Sequence, residues 1–132
     1  MTFDDYQKAA YAFARYPRTV EVEYFEHDDP LADSPYVDVC QMAWTYPAMA
    51  LAEEAGEVSG KFAKFLRKRD FSNKAFETLR SDVAKELGDV LWQVAAVATE
   101  LWLDLQDIAD ANLAKLEGRA AAGTIIGEGD DR

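Results

Sequence analysis

Between Leu51 and Val90 the chain carries two acidic pairs of identical spacing, Glu54 with Glu57 and Glu86 with Asp89. On an α-helix, residues three apart lie about one turn apart on the same face, so each pair is a two-carboxylate claw. The stretch from Glu57 to Glu86 is long enough to finish one helix, turn and return. An antiparallel hairpin then brings the two claws together. Four carboxylates cannot stay ionised side by side without a counter-charge, and oxygen donors favour a hard divalent cation, Mg²⁺ or Mn²⁺. One such pair alone is commonly a solvated face. The doubled arrangement is a stronger signal, because Leu51, Ala52, Ala55 and Val58 flank the first pair and Leu87, Val90 and Leu91 the second. Gly56 and Gly88 directly precede Glu57 and Asp89. A glycine inside a helix costs up to about 1 kcal/mol relative to alanine, a cost that close approach of a facing helix or ligand would explain.

The rest of the chain reads as helices arranged around that hairpin. Thr2 with Asp5 forms a capping signature for a first helix reaching about Arg15, and Pro17 stops it. Thr19 to Phe25 is either a short extended piece or irregular chain, and Glu26 to Pro35 has the turn chemistry of a surface loop. The second helix is expected to begin near Pro47, with an apolar stripe of Leu51, Ala55, Val58, Phe62 and Phe65. Beside that stripe run Glu54, Glu57, Lys61, Lys64 and Lys68, acids first and lysines after. This order places cations within reach of a triphosphate laid along the helix; the alternative is a solvated face of ion pairs. After a turn at Asp70 to Asn73, a long third helix carries Phe76, Leu79, Val83, Leu87, Val90, Val94, Val97 and Leu101. That stripe is longer than one neighbouring helix can cover, so part of it is expected to meet another subunit. Asp104 and Asp107 open a last helix closed by Gly118, and residues 120–132 are expected to form an irregular tail. The expected architecture is all-α, a four- to five-helix bundle in one domain spanning 1–132, with 17–44 as an insert or lid-like segment.

Composition closes several other routes. A formal charge of −11 in 132 residues opposes binding to nucleic acid polymers or anionic membranes. The single cysteine, Cys40, excludes an internal disulfide, and with the single histidine, His27, it excludes the usual zinc sites. Cys40 reads as a packing residue and His27 as a loop residue. Val90 to Leu103 is broken by Glu100 and is too short to span a bilayer. The N-terminus has no signal character, so the expected compartment is the cytoplasm.

Three segments together carry a family resemblance: Glu53-Glu54-Ala-Gly-Glu57-Val, Lys85-Glu86-Leu-Gly-Asp89-Val-Leu-Trp92, and Asn112-Leu-Ala-Lys115-Leu-Glu-Gly-Arg119. The combination resembles the MazG-like all-α nucleoside triphosphate pyrophosphohydrolases. The tail from Gly123 to Arg132 is similar to the ending of short, single-domain phage members. The resemblance runs from about Tyr46 to the C-terminus and implies Mg²⁺-dependent cleavage of an NTP or dNTP into monophosphate and pyrophosphate. By position it implies Glu54, Glu57, Glu86 and Asp89 as metal ligands and Asn112 with Lys115 as nucleotide contacts. Lys61, Lys64 and Arg119 fall where they can contact phosphate; Glu53 and Glu57 are the expected catalytic carboxylates, Glu53 either orienting the attacking water or acting as a base, or else standing as an exposed neighbour of the ligands. The family usually assembles as dimers or tetramers. The insert and tail resemble the MazZ-related phage branch, which implies a purine deoxynucleotide, dGTP first, and a host cytoplasm. The segment 17–44 is longer and richer in aromatic and acidic residues than in the shortest relatives, which leaves base selectivity open. Two other readings stand beside this one: a dUTPase-like enzyme of the same fold, and a non-catalytic helical oligomer acting as a binding or regulatory module.

Overall fold

The computed structural model describes residues 1–16 and 43–124. Expectations for the 17–42 part of the insert, including Cys40, His27 and the Glu26–Pro35 loop, lie outside the described residues, as do those for the tail beyond 124. Within them the chain forms α1 (Phe3–Tyr11), α2 (Thr45–Lys68), α3 (Asn73–Glu100) and α4 (Leu105–Ala121). All regular elements among the described residues are helices, as the spacing of the acidic and apolar residues predicts. None is long and apolar enough to cross a membrane.

Each boundary has a local cause. Thr2 and Asp5 close a reciprocal capping box, the Asp5 amide donating to Thr2 Oγ1 at 3.2 Å and the Thr2 amide to the Asp5 carboxylate at 2.9 Å. α1 ends at Tyr11, earlier than the expected Arg15. The chain tightens there into three-residue turns, and Arg15 Nη1 donates to the carbonyls of Ala12 and Ala14 at 3.0 Å each, satisfying groups a longer helix would have used. α2 begins at Thr45, which puts Pro47 in the first turn, where its missing N–H is not needed. It ends at Lys68 and is capped by Arg69, in the left-handed conformation with φ 52°. Asp70 accepts from the Ser72 amide at 3.0 Å, and Ser72 then caps α3 by accepting from the Ala75 amide at 3.3 Å. Phe65 meets the edges of Phe71 and Phe76 at centroid distances of 5.5 and 6.5 Å, fastening this end of the hairpin. α4 is capped by Asp104, which accepts from the amides of Gln106 and Asp107, and it runs to Ala121, past the expected stop at Gly118.

The largest packing surface is between α2 and α3; α1 lies across α3 and, to a lesser extent, α4. The α1–α3 contact is built from small residues. Ala95, Ala96 and Ala98 keep 1–2% of their surface exposed, and Ala10, Ala14, Tyr16 and Leu105 close around them. This differs from the long-chain apolar line expected on α3. Leu79 is buried, but Phe76 and Leu87 are about half exposed, at 53% and 52%. The physical reason is coverage: α1 is only 9 residues long and α3 is 28, so α1 shields just one end of it.

Polar clamps hold α1 on that end. Gln7 Nε2 donates to Thr99 Oγ1 at 3.1 Å and to the Leu103 carbonyl at 2.9 Å, and Gln7 Oε1 accepts from the Leu105 amide at 2.8 Å. One amide thus ties α1 to the α3–α4 corner and satisfies the first free N–H of α4. Trp92 Nε1 donates to the Ala10 carbonyl at 3.2 Å, and the hydroxyls of Tyr11 and Tyr16 donate to Glu100 Oε1 at 3.2 and 2.7 Å. Replacing Gln7 by leucine keeps the volume and strands these partners. The expected loss, read by urea unfolding, is about 1–3 kcal/mol, with helicity retained.

Candidate metal centre

The hairpin brings three of the four claw carboxylates into one cluster. Oxygen atoms from Glu54 on α2 and from Glu86 and Asp89 on α3 lie within 4.8 Å of one another. Glu54 and Glu86 are half-buried and Asp89 is exposed. Glu57 is exposed and outside this group, yet close enough that its charge acts on both Glu54 and Lys61. Glu53 is exposed beside them. Like charges 4.8 Å apart repel by between about 1 kcal/mol in bulk water and about 3 kcal/mol near a protein surface. Three such pairs outweigh the few tenths of a kcal/mol that a helix-surface ion pair contributes, so a nearby cation or a proton on one carboxylate is favoured.

The surroundings register that strain. Burial, then the charges of Asp89, Glu57, Glu53 and Glu86, hold the Glu54 carboxyl above its ordinary pKa. Lys61 supplies part of the counter-charge. Its ammonium lies 2.8 Å from Glu86 Oε1. That hydrogen bond, outweighing desolvation, raises the Lys61 pKa, with Glu57 and Asp82 adding smaller effects. Asp82 itself pairs with Lys85 at 3.3 Å.

Tyr6 escapes the spacing argument. It belongs to the apolar line of α1 and packs on the Ala10–Ala95–Leu105 cluster, yet burial and then the charge of Asp89 raise its pKa. α1 thus places a phenol within the field of the acidic cluster. Its sequence signal was indistinguishable from that of a core aromatic.

The basic and amide residues expected at the site are more dispersed. Lys64 is exposed on α2, one turn beyond Lys61. Asn112 and Lys115 stand on α4 and line, with Ile108 and Ala111, a cavity of about 420 Å³ whose walls come from α4 alone. Arg119 is half-buried in the last turn of α4. A second cavity, of about 430 Å³ at the α1 and α3–α4 corner, is lined by residues that include Gln7, Tyr11 and Trp102, and contains none of the claw carboxylates.

The donor set consists of carboxylate oxygens without histidine or cysteine, which fits a hard divalent cation and not a structural zinc. Two helices presenting converging carboxylates, with lysines alongside, make an all-α arrangement that can hold a hard cation. The comparisons give the family. The MazG nucleotide pyrophosphohydrolase domain matches residues 46–123, a span that contains both claws and the Asn112–Lys115 pair. The "Gene 37 protein" of Mycobacterium phage L5 is 41% identical over 88 residues, covering 67% of this chain and 75% of that protein. No solved structure matches the chain significantly. The chain belongs to the MazG nucleotide pyrophosphohydrolase domain family, and it is a nucleoside triphosphate pyrophosphohydrolase acting on an acid anhydride. Enzymes of this family depend on a divalent metal, and the Glu54, Glu86 and Asp89 cluster provides a candidate for its site.

Because the Glu54 pKa is raised on folding, its stabilising contribution is present at acid pH and is lost as pH rises through the folded value. Glu54→Gln is therefore expected to raise the melting temperature of the metal-free protein at neutral pH while weakening Mn²⁺ binding. Melts in chelator and a Mn²⁺ titration of the same variant test both halves.

Proposed function

We propose that the enzyme converts a purine deoxynucleoside triphosphate, dGTP or its ribo-counterpart, to the monophosphate and pyrophosphate with Mg²⁺ held by Glu54, Glu57, Glu86 and Asp89, Mn²⁺ substituting. The observation that carries this reading is the approach of Glu54, Glu86 and Asp89 within 4.8 Å inside the family-matched span. When bound, the ion withdraws charge from phosphorus and makes water a stronger nucleophile. The protein residues divide the remaining work. Glu53, next to a ligand but rotated by roughly 100° around the helix, orients the water or accepts its proton. Lys61 and Lys64 neutralise the polyphosphate, since phosphoryl transfer relies on positioning and electrostatics more than on covalent help. Asn112, Lys115 and Arg119 hold the nucleotide from α4.

The α4 groups line an open cavity with one wall, so we assign the opposite wall to a second copy of the chain in a dimer or tetramer. Supporting this, Phe62, Leu66, Phe76, Leu87 and Leu91 keep 36–62% of their surface exposed on the hairpin, apolar surface that a second chain would cover. The guanine preference rests on the likeness to short phage members, which the mycobacteriophage relative supports. The same likeness favours a host cytoplasm.

With Mg²⁺, a panel of the eight common NTPs and dNTPs is expected to yield pyrophosphate, fastest from dGTP or GTP, and Glu57→Gln or Asp89→Asn should lower the rate by at least about 10²-fold. A pyrimidine preference would reject the guanine assignment alone; no turnover of any of the eight would reject the hydrolase reading. Light scattering after size exclusion is expected to give two or four chains, and Leu87→Glu should reduce that number.

A further inference from the structure

The acidic cluster already has a cation beside it. Lys61 Nζ lies 2.8 Å from Glu86 Oε1, with 31% of the lysine side chain and 12% of the glutamate side chain exposed. Lys61 follows Glu54 by two helical turns, so both stand on one face of α2. Lys64 and Lys68, farther along the same helix, are exposed, and among the described residues no ion pair joins them to the cluster. A divalent ion of magnesium size sits about 2.1 Å from its carboxylate oxygens. If Lys61 kept its present contact and the ion bound the same Glu86 oxygen, the two cations would stand no more than about 5 Å apart, and they would repel.

We propose that Lys61 is the resident counter-ion of the cluster: it neutralises Glu86 in the metal-free protein, leaves Glu86 when the divalent ion enters, and is then free to pair with the polyphosphate that accompanies the ion. This rests on the metal centre proposed above and adds a linkage to it. A flexible lysine stem exchanges one partner for another at little cost, so metal and polyphosphate binding are coupled through one side chain, and each tightens the other. Without Lys61 the empty cluster is more strongly negative, binds the ion more tightly on its own and gains less from the anion.

The test uses the full chain without nucleotide and measures Mn²⁺ binding from the electron paramagnetic resonance of the free ion, in the presence and absence of inorganic pyrophosphate. Lys61→Gln is expected to bind Mn²⁺ about tenfold more tightly than the unaltered protein, the scale of one charge-assisted hydrogen bond removed from competition. Pyrophosphate should tighten Mn²⁺ binding in the unaltered protein and do so much less in the variant. In chelator, the melting temperature of Lys61→Gln should fall. Lys61→Met, which keeps the packing of the stem, must agree and serves if the glutamine variant folds poorly. Lys68→Gln removes the same charge away from the cluster and should change affinity by less than about twofold. Unchanged or weaker Mn²⁺ binding in the Lys61 variants overturns this inference while leaving the metal centre intact. Undiminished Mn²⁺ binding by Asp89→Asn, or none by the unaltered protein, overturns the metal centre itself.

Discussion

Carboxylates forced together without enough positive charge are the constraint on which this structure turns. Glu54, Glu86 and Asp89 come within 4.8 Å of one another, and their repulsion is borne by the packing of α2 on α3. The hairpin can bear it because its ends are fastened independently. Phe65, Phe71 and Phe76 interlock at the turn, and α1 is clamped across the far end of α3. The site therefore sits between two braced points, at the part of the hairpin where the chain supplies the least favourable electrostatics of its own. That is the usual position of a functional site: locally unfavourable, and stable only because its surroundings hold it.

The clamp on α1 also explains why a 9-residue helix persists. A helix that short is marginal in isolation. Here a capping box fixes its start, and the Gln7 amide and two tyrosine hydroxyls bind its side of the molecule to α3 and the α3–α4 corner. Alanines at 95, 96 and 98 let the backbones approach closely enough for those polar contacts. The same approach carries Tyr6 into the field of Asp89.

Much of this was legible in the residues. The caps at Thr2 and Asp104, the turn at Asp70 to Asn73 and the tolerance of Pro47 in a first helical turn are local chemistry, and the helices begin within two residues of where that chemistry puts them. The approach of the two acidic helices was legible only in part: equal spacing pointed to four converging carboxylates, and three of them come together. Less legible was the buried line of α3. Hydrophobicity favoured Phe76, Leu79, Leu87 and Leu101; Leu79 is buried as expected, but the tightest burial goes to Ala95, Ala96 and Ala98, because a short, closely approaching neighbour selects small side chains over large ones. Gln7 gave no signal of its own: an amide in a helix reads as solvated until its three partners, more than 90 residues away, are folded against it.

The sequence by itself determined the helical class, the hairpin and the identity of the acidic residues, because these follow from periodicity, capping and charge over short stretches of chain. Tertiary structure alone decided which carboxylates share one space, that Glu57 stands just outside the closest three, that Lys61 reaches Glu86, and that Asn112 and Lys115 belong to a separate helix surface. Distances between side chains on different helices depend on how far the backbones approach and on where each helix is pinned. That is set by contacts between residues remote in the chain, and helical spacing carries no record of it.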